Sequence, residues 1–120
     1  MTESSSGQSS AESLSLEEIV HITNKVGMKY VKAKKEAEKK ELLKATFRAK
    51  AMEKYDDGKQ SEAKIRRLAE QDKDYIAYLD EIIELRYQVD QLRIRYDSYK
   101  NLFEARRSTL SYQKAEMRLL

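Results

Sequence analysis

The residue types that most often perform catalysis are scarce in this sequence. His21 is the only histidine and there is no cysteine, so a thiolate zinc site or a cysteine–histidine or serine–histidine pair has no support. Two carboxylate pairs, Asp56 with Asp57 and Asp72 with Asp74, stand where helices are predicted to end or begin, and capping explains them. No glycine-rich phosphate loop occurs. We therefore predict no catalytic residue, no metal site, no cofactor and no enzymatic activity.

Phosphate binding is the chemistry that the charged residues favour. The net charge is only +3, yet positions 25–54 contain eleven Lys or Arg residues against four Glu, an excess of seven (eleven minus four). Such a surface binds phosphates and releases counterions without reading bases. The residues that we assign to nucleic-acid contact, with Lys40, Lys44 and Lys50 expected on one helix face, are Lys40, Lys44, Arg48, Lys50 and Lys54. A solvated helix face is the alternative interpretation.

The elements that position these residues are all predicted to be helical. Apolar residues recur at helical spacing from about residue 14 onward, and 14–120 is predicted to be a single helical domain. The segments predicted along the chain are a disordered Ser-rich acidic tail at 1–13, a short helix at about 15–23, a basic helix at about 28–56, a turn at 57–60, a helix at about 61–70 and a long helix at about 73–118.

Local signals mark the ends of these helices. Ser15 followed by Glu18 is a capping-box pattern, and Ser61 opens the next stretch after the turn. Gly58 is suited to the left-handed conformation that ends a helix. Asp72 is placed to cap the start of the long helix.

Two rows of apolar residues, each with a spacing of seven, follow the long helix. They begin at Tyr75 and Tyr78, an offset that matches the a and d positions of a coiled coil. A second apolar edge at Ile76, Leu79 and Ile83 indicates packing against more than one helix. We predict an all-α helical hairpin whose long C-terminal amphipathic, coiled-coil helix oligomerises. The interface residues assigned are Ile82, Leu85, Val89, Leu92, Tyr96, Tyr99, Phe103 and Leu110.

The order of these features resembles that of the UvsY-type recombination mediators of bacteriophages. In that pattern a Lys-rich helix ends in an aromatic residue and a Gly turn; here 44–51 reads KATFRAKA, followed by Tyr55 and Gly58. A charged stretch with Asp-Lys-Asp at 72–74 comes next, and then a long amphipathic helix. The similarity covers about residues 28–118.

The resemblance implies a specific function. Such mediators form rings of several subunits through the C-terminal helical region and bind single-stranded DNA without sequence preference. They help a RecA-like recombinase to displace the single-strand-binding protein. Basic residues before the turn would contact DNA, with Lys50 as the best-matching position. Met52 stands where the family pattern has another basic residue, and Arg48 or Lys54 would substitute for it.

Other sequence features bear on location and on alternative functions. No apolar run of about 18 residues occurs and the N-terminus does not resemble a signal peptide, so we expect no membrane partner and a cytoplasmic location, the host cytoplasm if a phage encodes the chain. Two alternatives stay open. One is a structural coiled-coil assembly or scaffold protein without nucleic-acid binding. The other is a helical adaptor that binds another protein through the edge at Ile76, Leu79 and Ile83.

Overall fold

The structure, a computed structural model, describes residues 13–119, and in that range every regular element is a helix. The helices, labelled in chain order, are α1 (Leu16–Leu42), α2 (Lys44–Tyr55), α3 (Glu62–Glu70) and α4 (Lys73–Leu119). With no strand among these residues, the predicted all-α class is confirmed. None of these four helices is both long and apolar enough to cross a membrane. The predicted tail lies, up to residue 12, outside the described residues.

Side-chain caps define the helix starts where the sequence predicts them. The Ser15 hydroxyl accepts a hydrogen bond from the Glu18 N–H, and the Glu18 carboxylate accepts one from the Ser15 N–H, both at 3.1 Å. At the start of α3, the Ser61 hydroxyl accepts from the Lys64 N–H at 3.3 Å. Gly58, between α2 and α3, has a φ of 77°, which glycine adopts without steric cost.

The predicted basic helix at 28–56 is divided in the structure. α1 continues through Gly27 and ends at Leu42, and Leu43 separates it from α2 with φ −87° and ψ −1°. This ψ departs from the helical value of about −42°. The hydrogen bonds on either side persist, because the Leu43 N–H donates to the Lys39 carbonyl at 3.1 Å and the Phe47 N–H donates to the Leu43 carbonyl at 3.0 Å. The break therefore costs little backbone hydrogen bonding.

The described chain forms two compact units. The first unit contains the described residues up to Tyr30 together with those from Leu92 onward, and the second unit is Val31–Gln91. The N-terminal part of α1 and the C-terminal part of α4 belong to the first unit. The C-terminal part of α1, both short helices and the N-terminal part of α4 belong to the second.

In the first unit, α1 and α4 run antiparallel, as in a helical hairpin. The Arg106 guanidinium donates to the Leu14 carbonyl at 2.7 Å, and the Tyr30 and Tyr96 rings stack with centroids 6.2 Å apart. Gly27 allows the Tyr96 ring to approach α1, since a Cβ at this position would lie 3.0 Å from Tyr96 Cε1. This glycine therefore serves packing.

The second unit contains a small core that joins α2, α3 and α4. Its buried members are Ala51, Ala69 and Tyr75, one from each helix. Small alanine side chains let the helix backbones come close, and the tyrosine ring fills the space between them. The partly buried residues that pack around the core are Phe47, Met52, Tyr55 and Leu79.

Candidate nucleic-acid interface

Three lysines form an exposed row on the part of α1 that belongs to the second unit. Lys32, Lys35 and Lys39 are all exposed, and their spacings of three and four residues place them on one side of the helix. Ala37 is buried on the opposite side. The row therefore faces solvent and is open to phosphate groups.

α2 carries three more basic residues that are not neutralised. Among residues 13–119, Lys44, Arg48 and Lys50 have no ion-pair partner, and both lysines are exposed while Arg48 is partly buried. Lys44 and Arg48 are one turn apart and share a side of α2. Lys50 is six positions after Lys44, about 240° further round a regular helix. The expectation that Lys44 and Lys50 share one face is therefore wrong.

Lys40, which the sequence also assigns to nucleic-acid contact, is held by interactions inside the second unit. Its ammonium group forms an ion pair with Glu81 of α4 and lies 4.8 Å from the centroid of the Tyr78 ring. The Tyr78 hydroxyl donates to the Lys40 backbone carbonyl at 2.6 Å. These contacts run between α1 and α4, so a phosphate at Lys40 would compete with Glu81.

Lys54, another assigned residue, belongs to a charged cluster at the end of α2. Its Nζ is 2.8 Å from Asp74 Oδ2 and 3.3 Å from both Asp72 carboxylate oxygens. The Tyr55 hydroxyl donates to Asp72 Oδ1 at 2.7 Å. Asp72 Oδ2 also accepts the N–H groups of Asp74 (3.1 Å) and Tyr75 (3.2 Å). Asp72 is thus the predicted cap of α4 and also ties α2 to it.

The contacts in this cluster favour a charged Asp72, a charged Lys54 and a neutral Tyr55. The hydrogen bond from Tyr55 lowers the pKa of the Asp72 carboxyl, with help from the Tyr75 N–H and Lys54. The hydrogen bond to Asp74 raises the pKa of Lys54, and the hydrogen bond to Asp72 raises the pKa of the Tyr55 hydroxyl. At neutral pH, therefore, the Lys54 charge is balanced inside the unit.

The lowered pKa of Asp72 makes stability depend on pH. A carboxyl whose pKa is lower in the folded state adds stability above its unfolded pKa, about 3.9, and loses it as pH falls through the folded pKa. We expect Asp72→Asn, which keeps a capping side chain, to melt several degrees below the wild type at pH 7. This difference should close as the pH falls below about 4. Thermal melts followed by circular dichroism measure it.

Asp74→Asn is the matched control for this prediction. Asp74 contacts the same Lys54, but its side chain is largely exposed, so its loss should cost less at pH 7. Equal melting temperatures for Asp72→Asn and the wild type at pH 7 would contradict the stabilising role of the Asp72 charge. So would a difference that stays constant down to pH values below about 3.

The predicted oligomer interface is partly occupied within the chain. In the second unit Ile82 is buried, whereas Leu85 and Val89 are partly buried. In the first unit, Tyr96 contacts Gly27 of α1. The remaining assigned residues are the partly buried Leu92, Tyr99 and Phe103 and the exposed Leu110. The heptad spacing identifies residues that face a partner helix, and for Tyr96 that helix is α1 of the same chain.

Two open grooves in the second unit leave part of this interface uncovered. Leu43 and Leu85 line one groove, and Leu42 and Val89 line the other. Both grooves run between α1 and α4, and charged side chains border them. α1 therefore does not fully cover the a and d residues of α4 at these positions.

The geometry leaves exposed basic side chains on α1 and on α2 without ion-pair partners in the described chain, and it assigns Lys40 and Lys54 to contacts within the unit. Across residues 13–119, no group of three or more His, Asp or Glu side chains is placed to hold a metal ion. The sequence shows the positive excess but not which charges are paired, because the partners are distant in the chain.

Comparison of this chain with protein-family models, with curated proteins and with solved structures gives no match.

Proposed function

We propose that this protein is a non-catalytic, single-stranded-DNA-binding recombination mediator that helps to load a RecA-like recombinase. The observation that carries the proposal is the exposed positive charge on α1 and α2 that has no counterion in the described chain. Its members are Lys32, Lys35, Lys39, Lys44 and Lys50, with Arg48 beside them. Phosphate contacts of this kind bind any sequence. The resemblance to UvsY-type mediators supplies the recombination role.

Self-association is the second part of the proposal. A few lysines on one chain bind a phosphate backbone weakly, but an oligomer that presents several copies binds one strand much more tightly. A ring of several subunits would present the basic surface repeatedly to one strand. The grooves beside Leu85 and Val89 support an oligomer, because they leave apolar residues for another helix to cover.

The proposal is tested by fluorescence anisotropy of a labelled single-stranded oligonucleotide. We expect binding that is similar for different sequences at about 50 mM salt and much weaker at about 200 mM, because phosphate contacts exchange with counterions. Binding that is absent at the lower salt would contradict the proposal and favour a structural coiled-coil protein or a helical adaptor. The exposed Ile76 and Ile83 are the residues through which an adaptor would act.

The recombination role needs its own measurement. On single-stranded DNA covered by a single-strand-binding protein, a RecA-like recombinase begins ATP hydrolysis only after a lag, while it displaces the covering protein. We expect this protein to shorten the lag, and it would do so in the cytoplasm, or in the host cytoplasm if a phage encodes it. An unchanged lag despite tight DNA binding would leave a DNA-binding protein without the mediator role.

A further inference from the structure

Two of the lysines assigned to nucleic-acid contact are paired with carboxylates, and the pairings differ in kind. Lys54 contacts both Asp72 and Asp74, so the removal of either carboxylate leaves the other in place. Lys40 forms its ion pair with Glu81 alone among residues 13–119. Both side chains of this second pair are partly open to water, with exposed fractions of 34% for Lys40 and 58% for Glu81. A single substitution can therefore free Lys40.

The position of Lys40 in the chain lies between two cations that are not paired. Lys40 follows Lys39 in the last turn of α1, and Lys44 comes four positions later at the start of α2. Both of these neighbours are exposed, and neither has an ion-pair partner within the described part of the chain. The charge of Lys40, in contrast, is cancelled by Glu81.

Tyr78 holds Lys40 in this position independently of Glu81. The Lys40 Nζ lies 4.8 Å from the centroid of the Tyr78 ring, an arrangement that attracts a cation to the ring face. The Tyr78 hydroxyl donates to the Lys40 backbone carbonyl at 2.6 Å, and Tyr78 itself is buried. An open groove of about 540 Å³ beside these residues gives access from solvent. Loss of the Glu81 charge should therefore leave Lys40 in place and accessible.

We propose that Glu81 is an autoinhibitory residue, which occupies the Lys40 ammonium group and so limits its binding to phosphate. The Glu81 carboxylate takes the place of a phosphate group, because both are anionic acceptors for the same N–H donors. A phosphate that approaches Lys40 must displace this carboxylate and is repelled by its negative charge. The inference rests on the DNA binding of the proposed function, and it adds a residue that holds this binding below its full strength.

A double-mutant cycle between Lys40 and Glu81 tests the inference. Glu81→Gln should raise the affinity for a labelled single-stranded oligonucleotide by roughly two- to fivefold, as expected for the release of a partly exposed ion pair. It should also steepen the slope of log affinity against log salt by about 0.7, the contribution of one phosphate contact. Lys40→Gln/Glu81→Gln should bind as the wild type does, because it replaces a neutralised pair with an uncharged one. Anisotropy titrations at several salt concentrations measure these values.

Asp80→Asn is the matched control for Glu81→Gln. Asp80 is the preceding residue of α4, is exposed and forms no ion pair with any residue that the structure describes. Its replacement therefore changes the net charge by the same amount without freeing a cation. We expect a smaller gain in affinity and an unchanged salt slope. Circular dichroism checks that every variant is as helical as the wild type, since the pair of Lys40 and Glu81 joins α1 to α4.

Three results would overturn the inference. They are a Glu81→Gln variant that binds no more tightly than Asp80→Asn, a gain that persists in the double variant, and a Lys40→Gln variant whose salt slope falls by about 0.7, which would mean that Lys40 already contacts phosphate in the wild type. In each case a wild type that binds DNA leaves the proposed function standing. If neither the wild type nor Glu81→Gln binds at about 50 mM salt, the proposed function fails together with the inference.

Discussion

Reversing the three unpaired basic residues of α2, with the triple variant Lys44→Glu/Arg48→Glu/Lys50→Glu, is expected to abolish the binding of single-stranded DNA. Each phosphate contact to a single strand contributes about 0.7 to the slope of log affinity against log salt. Loss of three contacts should therefore reduce the slope by about 2 wherever residual binding is measurable. Anisotropy titrations over a series of salt concentrations give both the affinity and the slope.

α3 offers a matched control for this variant. Lys64, Arg66 and Arg67 are exposed basic residues outside the Lys-rich segment, and reversing all three to Glu changes the net charge by the same amount. We expect this control to keep most of the affinity and of the salt slope. If both triple variants lose binding equally, the interaction depends on total charge, and α2 is not the site.

A comparison within α2 defines which side of the helix meets the strand. Lys44 and Arg48 share one side, whereas Lys50 lies on another. If DNA follows the first side, Lys44→Glu/Arg48→Glu should account for most of the loss and Lys50→Glu for little. The reverse result would agree with the family pattern, in which Lys50 is the best-matching position.

The parts of the fold that the sequence predicts correctly are those decided by residues close together in the chain. A capping box requires two residues three positions apart, and Ser15 with Glu18 forms it. The left-handed turn needs only Gly58, and the cap of α4 needs only Asp72 and the next turn of the helix. Such signals do not depend on the rest of the fold, so they can be recognised in isolation.

Neighbouring residues in the sequence do not show which of the basic side chains form ion pairs. Lys40 meets Glu81 across 41 positions of the sequence, and Lys54 meets Asp72 across 18. The first pair joins α1 to α4 and the second joins α2 to α4, so each forms only when the helices of the second unit pack together. A count of charges therefore finds the basic segment, and only the packing shows which of its lysines are neutralised.

The heptad spacing has a similar limit. It identifies the side of α4 that packs against another helix, and the burial of Ile82 agrees with that side. It does not tell which chain supplies the partner, because side-chain spacing is the same for an intrachain and an interchain contact. The second apolar edge, expected to pack against a further helix, is divided in the structure: Leu79 packs against the core of the second unit, whereas Ile76 and Ile83 are exposed.

Ile82 and Ile83 therefore provide the sharpest test of the packing. Ile82 is 3% exposed and Ile83 is 62% exposed, although they are neighbours in one helix. We expect Ile82→Asp to destabilise the protein by roughly 3 to 5 kcal/mol, because it buries a charge without a partner. That is a large part of the 5 to 15 kcal/mol or so that stabilises a typical domain. Urea unfolding followed by circular dichroism measures the loss.

Ile83→Asp introduces the same charge one residue later, where water still solvates it. We expect its unfolding midpoint to stay close to that of the wild type. Similar loss of stability in both variants would mean that the two sides of α4 are equally buried. A stable Ile82→Asp would mean that α4 is turned differently, with another side against the core of the second unit.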